Sequence, residues 1–158
     1  MIDKKELLSI IPHRSRMFLL SRVINYNLEE YSLEAEYDIT ENCIFYDPEF
    51  GGVPAWAGFE FIAQAISALV GLWRRERGEE VKLGFIMSVS SVKINLPSFK
   101  IGDTAELKVK RINSMDMVYT FEGFIFLGGR KVLEGKMTIL DVDDEKMKTF
   151  QKEINSIG

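Results

Sequence analysis

The sequence predicts an α+β fold in which one curved antiparallel sheet wraps around a single long central helix. Residues 56–76 are apolar on nearly every side, a pattern typical of a helix that other elements surround. From residue 82 onward, strand-like segments follow one another and are separated by turn-rich stretches. One such helix combined with many strands favours a single sheet packed on that helix.

Length and composition indicate one domain spanning residues 1–158, with short helices at both ends. The net charge of -4 gives no basic excess, so we expect neither nucleic acid nor an anionic membrane as a ligand. Cys43 is the only cysteine, which excludes an internal disulfide. The N-terminus lacks a secretory pattern, and the longest apolar run, 59–73, contains Glu60 and Gln64. We therefore expect a cytoplasmic protein.

The N-terminal third predicts one short helix and one hairpin. Apolar residues at helical spacing follow Asp3, a suitable N-cap, and predict a helix over 4–11. Alternating apolar and polar residues predict strands at 18–24 and 31–39, joined by a turn at 25–30.

The central helix is predicted over residues 56–76. Arginines occupy its last turn, where cations interact favourably with the helix dipole. Gly78 follows as the C-terminal stop. The loop from Thr40 to Pro54 precedes the helix.

The second half predicts an antiparallel meander and a terminal helix. The four predicted strands cover residues 83–96, 104–112, 117–127 and 131–142. Acidic residues after 142 begin a helix that places Met147, Phe150 and Ile154 on one face, so we expect it to dock on the domain. A sheet around one helix leaves open edges, and pairing two edges across protomers predicts at least a homodimer.

Several segments resemble the beta-hydroxyacyl-acyl carrier protein dehydratases, which have the hot-dog fold. Residues 8–23 are similar to the family opening "LLPHRxPxLLxDRV", and 48–54 stand where the family has "GHFPxxP". Glu60 and Gln64 match the "ExxxQ" of the family helix. The segment from Gly84 to Val142 is similar to the second half of the family. The resemblance covers nearly the whole chain and implies the hot-dog fold.

Two departures from the family concern chemistry. Glu49 stands at the position of the family's catalytic histidine, and the helix start is about three residues shorter. The pattern looks like the dehydratase-like proteins of aryl polyene biosynthesis clusters, some of which are thought to act as partner subunits. His13, the only histidine, lies in the "PHR" opening, which is structural in the family, and we expect a structural or hydrogen-bonding role for it.

The resemblance implies a reaction of fatty acid or polyene biosynthesis. The family removes water from a (3R)-hydroxyacyl thioester carried on the phosphopantetheine of acyl carrier protein or coenzyme A. By resemblance, Glu60 takes the helix carboxylate role, and backbone N–H groups around Gly58 polarise the thioester carbonyl. Phe50 and Trp56 are expected in tunnel or dimer-interface packing, and Gln64 as a buried support for the loop. We expect no metal, nucleotide or flavin cofactor.

With Glu49 in place of the histidine, elimination would run on two carboxylates. Family geometry sets the loop residue of one protomer opposite the helix carboxylate of the other, which would bring Glu49 and Glu60 together. Two close carboxylates do not both ionise cheaply, so the pair could serve as base and acid. The alternatives are a solvated loop acid at Glu49 and an N3 capping residue at Glu60.

Two other functions stay open at this point. The chain could be a non-catalytic or half-catalytic subunit that lends Glu60 to a histidine-bearing dehydratase in a heterodimer. It could also be an acyl thioesterase, although the opening and the loop match the dehydratase pattern better. Activity of the purified chain alone and release of free thiol distinguish these functions.

Overall fold

The protein, seen in a computed structural model, is built from an antiparallel sheet packed on one long helix, and the structure describes residues 1–12, 17–80, 84–141 and 144–158. The strands are β1 (Ile2–Asp3), β2 (Arg22–Asn27), β3 (Ser32–Asp38), β4 (Gly52–Pro54), β5 (Phe85–Ile94), β6 (Ser98–Lys100), β7 (Thr104–Met115), β8 (Val118–Leu127) and β9 (Arg130–Leu140). The helices are α1 (Lys4–Leu7), α2 (Gly58–Glu76) and α3 (Asp144–Ile157).

The predicted central helix is confirmed as α2. A 3₁₀ turn at Ala55–Ala57 leads into it, and most of its side chains are buried. At the other end, Gly78 has a φ of 69°, a left-handed conformation that glycine adopts without steric cost. The Gly78 N–H donates to the carbonyl of Arg75 and so satisfies one of the last carbonyls of the helix.

The large sheet has the strand order β1-β2-β3-β7-β8-β9-β5, with every neighbouring pair antiparallel. The predicted hairpin is confirmed as β2 and β3, although β2 begins at Arg22 rather than at residue 18. The predicted meander holds for β7, β8 and β9 only. β5 instead pairs with β9 at the edge of the sheet, because β3 occupies the free side of β7.

A two-stranded sheet formed by β4 and β6 was not predicted from the sequence. Its strands have three residues each and lie in segments that read as loops. They approach closely at Gly52, where an added Cβ would overlap the backbone carbonyl of Phe99. This small sheet ties the loop before α2 to the segment before β7.

The N-terminal segment covers α2 on the side away from the sheet. Asp3 caps α1 as predicted, since the Glu6 N–H donates to Asp3 Oδ1 at 2.9 Å. The helix is shorter than predicted and ends at Leu7, beyond which the N–H groups of Ile10 and Ile11 both donate to the Leu7 carbonyl. Ile10 lies directly over Gly71, where an added Cβ would overlap the Ile10 carbonyl oxygen.

Two predictions fall partly outside the described residues. The C-terminal helix is confirmed as α3, but the predicted docking is wrong for Ile154, which is 52% exposed. The side chains of Met147 and Phe150, whose docking was predicted, are not among those described, and His13 lies in the segment that the structure leaves out.

The helical stretch Ala55–Glu76 is long and apolar enough to cross a membrane by length and composition. In the fold, 72% of its most apolar window is buried inside the protein. Burial of this kind is expected of the core helix of a soluble protein.

An ion-paired cluster fastens β2 to β3 at the outer side of the sheet. The guanidinium of Arg22 donates two hydrogen bonds to the Asp38 carboxylate, at 2.8 and 2.9 Å, and one to Glu36 at 2.7 Å. The Thr104 hydroxyl donates a further one to Asp38. Arg22 holds the pKa of Asp38 below its ordinary value through these bonds, with a smaller contribution from Thr104.

We predict that Asp38→Asn lowers the free energy of unfolding at pH 7 by about 1 kcal/mol, a small value because the carboxylate is partly exposed. Since the folded-state pKa of Asp38 is lowered, its contribution is complete above the ordinary value of 3.8 and is lost as the pH falls through the folded-state value. Urea unfolding from pH 7 downward should therefore show a constant gap that closes below pH 3.8. Glu29→Gln, on the exposed turn between the same strands, serves as control, and a gap that closes near pH 6 would contradict the assignment.

Candidate active site

Glu60 lies in the first turn of α2, where the helix dipole stabilises a carboxylate, and its side chain is half-buried. It lines a hollow of about 690 Å³, part of it open to solvent, between α2 and the sheet; we call this hollow the groove. The lining residues are Glu60, Ala63, Ile66, Ser67 and Val70 of α2 with Gly84, Ile86, Tyr119, Phe121, Ile139 and Asp141 from β5, β8, β9 and the residues next to them.

The groove follows one face of the helix. Glu60, Ala63, Ser67 and Val70 are spaced by three or four residues, which places them on one side of α2. The sequence prediction named only Glu60 among them. The remaining three could have been found from the same spacing, because small residues on a helix leave space beside it.

Gln64 is completely buried and uses its amide in three directions. Its Nε2 donates to the Met17 carbonyl at 2.6 Å and to Glu60 Oε1 at 3.1 Å, and its Oε1 accepts from the Leu19 N–H at 2.8 Å. The residue thus fixes one carboxylate oxygen of Glu60 and anchors the chain at 17–19. The predicted support of the loop at 48–54 is instead support of this N-terminal segment.

Glu49 lies at the exposed tip of the loop before β4 and is not among the residues that line the groove. Its N–H donates to Asp47 Oδ1 at 2.9 Å, and Asp47 also closes the loop through backbone bonds with Gly52. The carbonyl of Phe50 accepts from Lys100 Nζ at 3.0 Å. The loop is therefore held in shape, with Glu49 exposed on it and outside the lining of the groove.

Gly58 is buried against the sheet rather than exposed in the groove. An added Cβ would meet the side chains of Leu133 and Ile125 within 3 Å. Its N–H donates to the carbonyls of Ala55 and Trp56 within the 3₁₀ turn. The N–H of Gly58 itself is thus already bonded within the chain, and the predicted polarisation of a thioester carbonyl by N–H groups around Gly58 stays a prediction.

Phe50 and Trp56 are exposed aromatic side chains near the helix start. Trp56 is 58% exposed, and its ring meets that of Phe45 edge-on at 5.5 Å between centroids. Phe50 is 44% exposed. Neither side chain lines the groove of its own chain, so the predicted tunnel or interface packing would have to involve a second chain.

The groove is lined in part by Ile86 of β5, a ten-residue edge strand with many exposed apolar side chains. These are Ile86, Met87, Val89, Val92 and Ile94. Within the described part of the chain, β5 pairs with β9 on one side only. Its pairing is irregular between Ser90 and Lys93, and Ser91 has a φ of 52°.

Among the described residues, neither a cluster of metal ligands nor a thiol lies at the groove. Over the described ranges of the chain, no three His, Cys, Asp or Glu side chains lie close enough together to hold a metal ion. Cys43 is buried in the core, next to Tyr37, whose pKa is raised by burial and by a hydrogen bond with Cys43. Tyr37 also packs on Phe61 of α2, so both groups belong to the core rather than to the groove.

Comparison with known protein families and sequences gives a consistent assignment. A family profile described as ApeP-like, ApeP dehydratase, matches residues 5–152. The 3-hydroxyacyl-acyl-carrier-protein dehydratase FabZ of Nitratidesulfovibrio vulgaris is 30% identical over 149 residues, covering 92% of this chain and 95% of that protein. The FabZ of Myxococcus xanthus is 27% identical over 147 residues, covering 90% and 94%.

Solved structures show the same fold. A chain of the dehydratase heterocomplex ApeI:P from Xenorhabdus doucetiae matches with a TM-score of 0.81 at 23% identity, covering 91% of this chain and 95% of that chain. A phenylacetic acid degradation-related protein from Ralstonia eutropha matches with a TM-score of 0.58 at 18% identity, covering 75% and 82%. The predicted hot-dog fold is confirmed by these similarities and by the seven-stranded sheet on one long helix.

We predict that Gln64→Leu lowers the free energy of unfolding by about 2–4 kcal/mol. The apolar side chain would leave the buried N–H of Leu19 and the carbonyl of Met17 without their partner, and each such loss costs about 1–3 kcal/mol. Urea unfolding measures the change. Ser67→Ala, one turn further along α2, should change stability by less than about 0.5 kcal/mol. Equal stability of Gln64→Leu and the unmodified protein would contradict the anchoring role.

Proposed function

Since the chain belongs to the ApeP-like dehydratase family, we propose that it eliminates water from (3R)-hydroxyacyl thioesters carried on phosphopantetheine, with Glu60 as an acid–base residue. The observation that carries this proposal is the position of Glu60: a carboxylate in the first turn of a buried helix, held by Gln64, at one end of a largely apolar groove. The groove offers an acyl chain an apolar surface directly beside that carboxylate.

The elimination requires two proton transfers. A base takes the proton from the carbon next to the thioester carbonyl, the carbon–oxygen bond of the hydroxyl breaks, and an acid supplies the proton with which the oxygen leaves as water. Glu60 is positioned to carry out one of the two transfers. Gln64 keeps the carboxylate in place, so little reorganisation is needed when the substrate binds.

The second group would be Glu49 of another protomer. In its own chain Glu49 is exposed on an anchored loop and does not line the groove, so its side chain is accessible to a neighbouring molecule. At short range the two carboxylates would share one proton, leaving one as base and the other as acid. The substrate is then an acyl carrier protein or coenzyme A thioester, and we propose the cytoplasm as the place of action.

The edges of the sheet favour assembly through β5. The opposite edge strand, β1, has two residues, whereas β5 has ten and exposes a row of apolar side chains. A long apolar edge with unpaired backbone groups is the natural site for pairing with a second strand. Pairing there would also place a second chain next to the groove, which Ile86 of β5 helps to line.

A second candidate is a subunit that works only with a histidine-bearing relative. The similar structure from Xenorhabdus doucetiae is described as a dehydratase heterocomplex, and this chain has Glu49 where the family has histidine. In such a pair, Glu60 would complete one site with the partner's histidine. Dehydration that appears only after mixing with the relative supports this candidate, and full activity of the chain alone excludes it.

A thioesterase activity ranks third. The family profile describes dehydratases, while the similarity to the phenylacetic acid degradation-related protein, at 18% identity, supports the fold alone. Release of free thiol from acyl thioesters would be the sign of this activity, and its absence in a thiol assay would exclude it.

We predict that Glu60→Gln lowers kcat for dehydration by at least about 100-fold and that Glu49→Gln does the same in a homodimer, because each amide removes one proton carrier. The assay follows the formation of the enoyl thioester by its absorbance. Glu41→Gln, an exposed acid earlier in the same loop, is the matched control and should keep full activity. Full activity of Glu60→Gln would refute the proposed function, whereas full activity of Glu49→Gln alone would refute only the carboxylate pair.

We predict that Val89→Lys converts the assembly to monomers, because a charge on the edge strand opposes pairing of β5 with another chain. Light scattering after size-exclusion chromatography measures the mass. Ile24→Lys, at a similarly exposed apolar position in β2, is the control and should leave the mass unchanged. An unchanged mass for Val89→Lys would place the interface elsewhere.

A further inference from the structure

The groove continues into a second hollow at its far end. This end hollow has a volume of about 300 Å³, which includes space open to solvent, and it shares four lining residues with the groove. The shared residues, which we call the neck, are Val70, Tyr119, Phe121 and Asp141. Beyond the neck the end hollow is lined by Tyr31, Trp73 and Arg111, which we call the end wall.

The three residues of the end wall stack on one another and on the neighbouring Tyr119 and Arg77. The Arg111 guanidinium lies 3.3 Å from the centroid of the Tyr31 ring and 5.4 Å from that of Tyr119. The Tyr31 ring is followed by that of Trp73 at 6.1 Å between centroids. On Trp73 lies the guanidinium of Arg77, at 4.5 Å. Stacked in this way, the residues form a continuous wall from the end of α2 to β8.

The backbone fixes the end wall in position. The Arg111 N–H donates to the Tyr31 carbonyl at 2.9 Å, and Tyr31 has a φ of 49°, a conformation that non-glycine residues rarely adopt. Arg111 continues the row of buried residues Leu107 and Val109 on the inner face of β7, where a further apolar residue would be expected. Tyr31, with its strained backbone, and the inward-facing cation of Arg111 thus meet at one place. This combination indicates that the position is constrained by something other than packing.

The polar side of the neck is already neutralised. Asp141 forms an ion pair with Arg74, which is itself buried and also pairs with Glu79. The Asp141 carboxylate therefore does not present an uncompensated charge to a chain that passes the neck. An apolar acyl tail could pass along the other side of the neck, which Val70 and Phe121 form.

We infer that the end wall terminates the acyl site and that Arg111, stacked on Tyr31, sets the longest acyl chain that the protein accepts. The inference rests on the proposed function, because it takes the acyl chain to lie along the groove from Glu60. Ten residues of helix separate Glu60 from Val70, which corresponds to about 15 Å. An extended chain advances about 3.5 Å in three bonds, so about 13 bonds reach the neck. The substrates are thus medium to long acyl chains, and Arg111 is a specificity-determining residue.

The test measures binding rather than catalysis. S-alkyl thioethers of pantetheine, with chains of 8 to 18 carbons, cannot react, and their dissociation constants follow from isothermal titration calorimetry on the intact assembly. Up to the longest chain that the site accepts, which we call the limit, each further buried methylene should tighten binding about fourfold. Longer chains should bind no more tightly. Arg111→Ala should move the limit to longer chains and tighten the first chain beyond the original limit by about tenfold or more. Val70→Phe, which narrows the neck, should shorten the limit.

Two further variants distinguish steric blocking by the Arg111 side chain from the effect of its charge and from the effect of removing a surface cation. Arg111→Met keeps much of the bulk and should keep the original limit. Lys108→Ala removes a cation that lies 5.5 Å from the Phe126 ring on the outer face of the same strand, and it should leave the whole profile unchanged. An identical limit in Arg111→Ala, Val70→Phe and the unmodified protein would overturn the inference.

The binding test and the dehydration assay can succeed or fail independently of each other. A shifted limit in a protein without dehydratase activity supports the inference while the proposed reaction fails. An unshifted limit in an active enzyme overturns the inference while the reaction stands. Absence of binding at every chain length would overturn both.

Discussion

The structure depends on the need to cover a helix that is apolar on nearly every side. The sheet covers one side of α2, where Gly58 and Phe61 pack against it. The N-terminal segment covers another, with Ile10 placed directly on Gly71. The remaining strip, which begins at Glu60, is the one that neither element covers completely. The groove is therefore a consequence of how a single sheet and a short segment share the surface of one helix.

Gln64 connects this packing to the chemistry. The same amide that fastens the segment at 17–19 also holds Glu60, so the cover of the helix and the position of the carboxylate are set by one buried side chain. A buried amide with three satisfied bonds is rigid, because any rotation would leave a polar group without a partner. The family's glutamine on the central helix thus has a structural reason in this chain that does not require contact with the substrate.

The sequence was sufficient for the elements with strong periodicity. The apolar run of α2, its stop at Gly78 and the strands β7 to β9 were all predicted close to their observed bounds. The position of β5 beyond β9 was not, because alternation identifies a strand without identifying its neighbour. The three-residue strands β4 and β6 are too short to show any period. The pairing of strands that lie far apart in the chain leaves no local pattern in the sequence.

The candidate site was predictable in part for the same reasons. Glu60 was predicted as a site residue because a carboxylate is unusual in an apolar helix. The groove beside it could be inferred from the small residues at helical spacing. The end wall was not predicted, since Tyr31 and Arg111 lie far apart in the sequence and meet only through the pairing of β3 with β7. The role of Glu49 depends on a contact between chains, for which a sequence carries no periodic signal. The irregular stretch of β5 at Ser90 to Lys93 has a further consequence: because it breaks the straight run of backbone donors, an approaching strand finds only short regular stretches to match. A partner strand must match these stretches to pair with β5, so the break restricts which strands can add there and disfavours the indefinite addition of strands in a fibre.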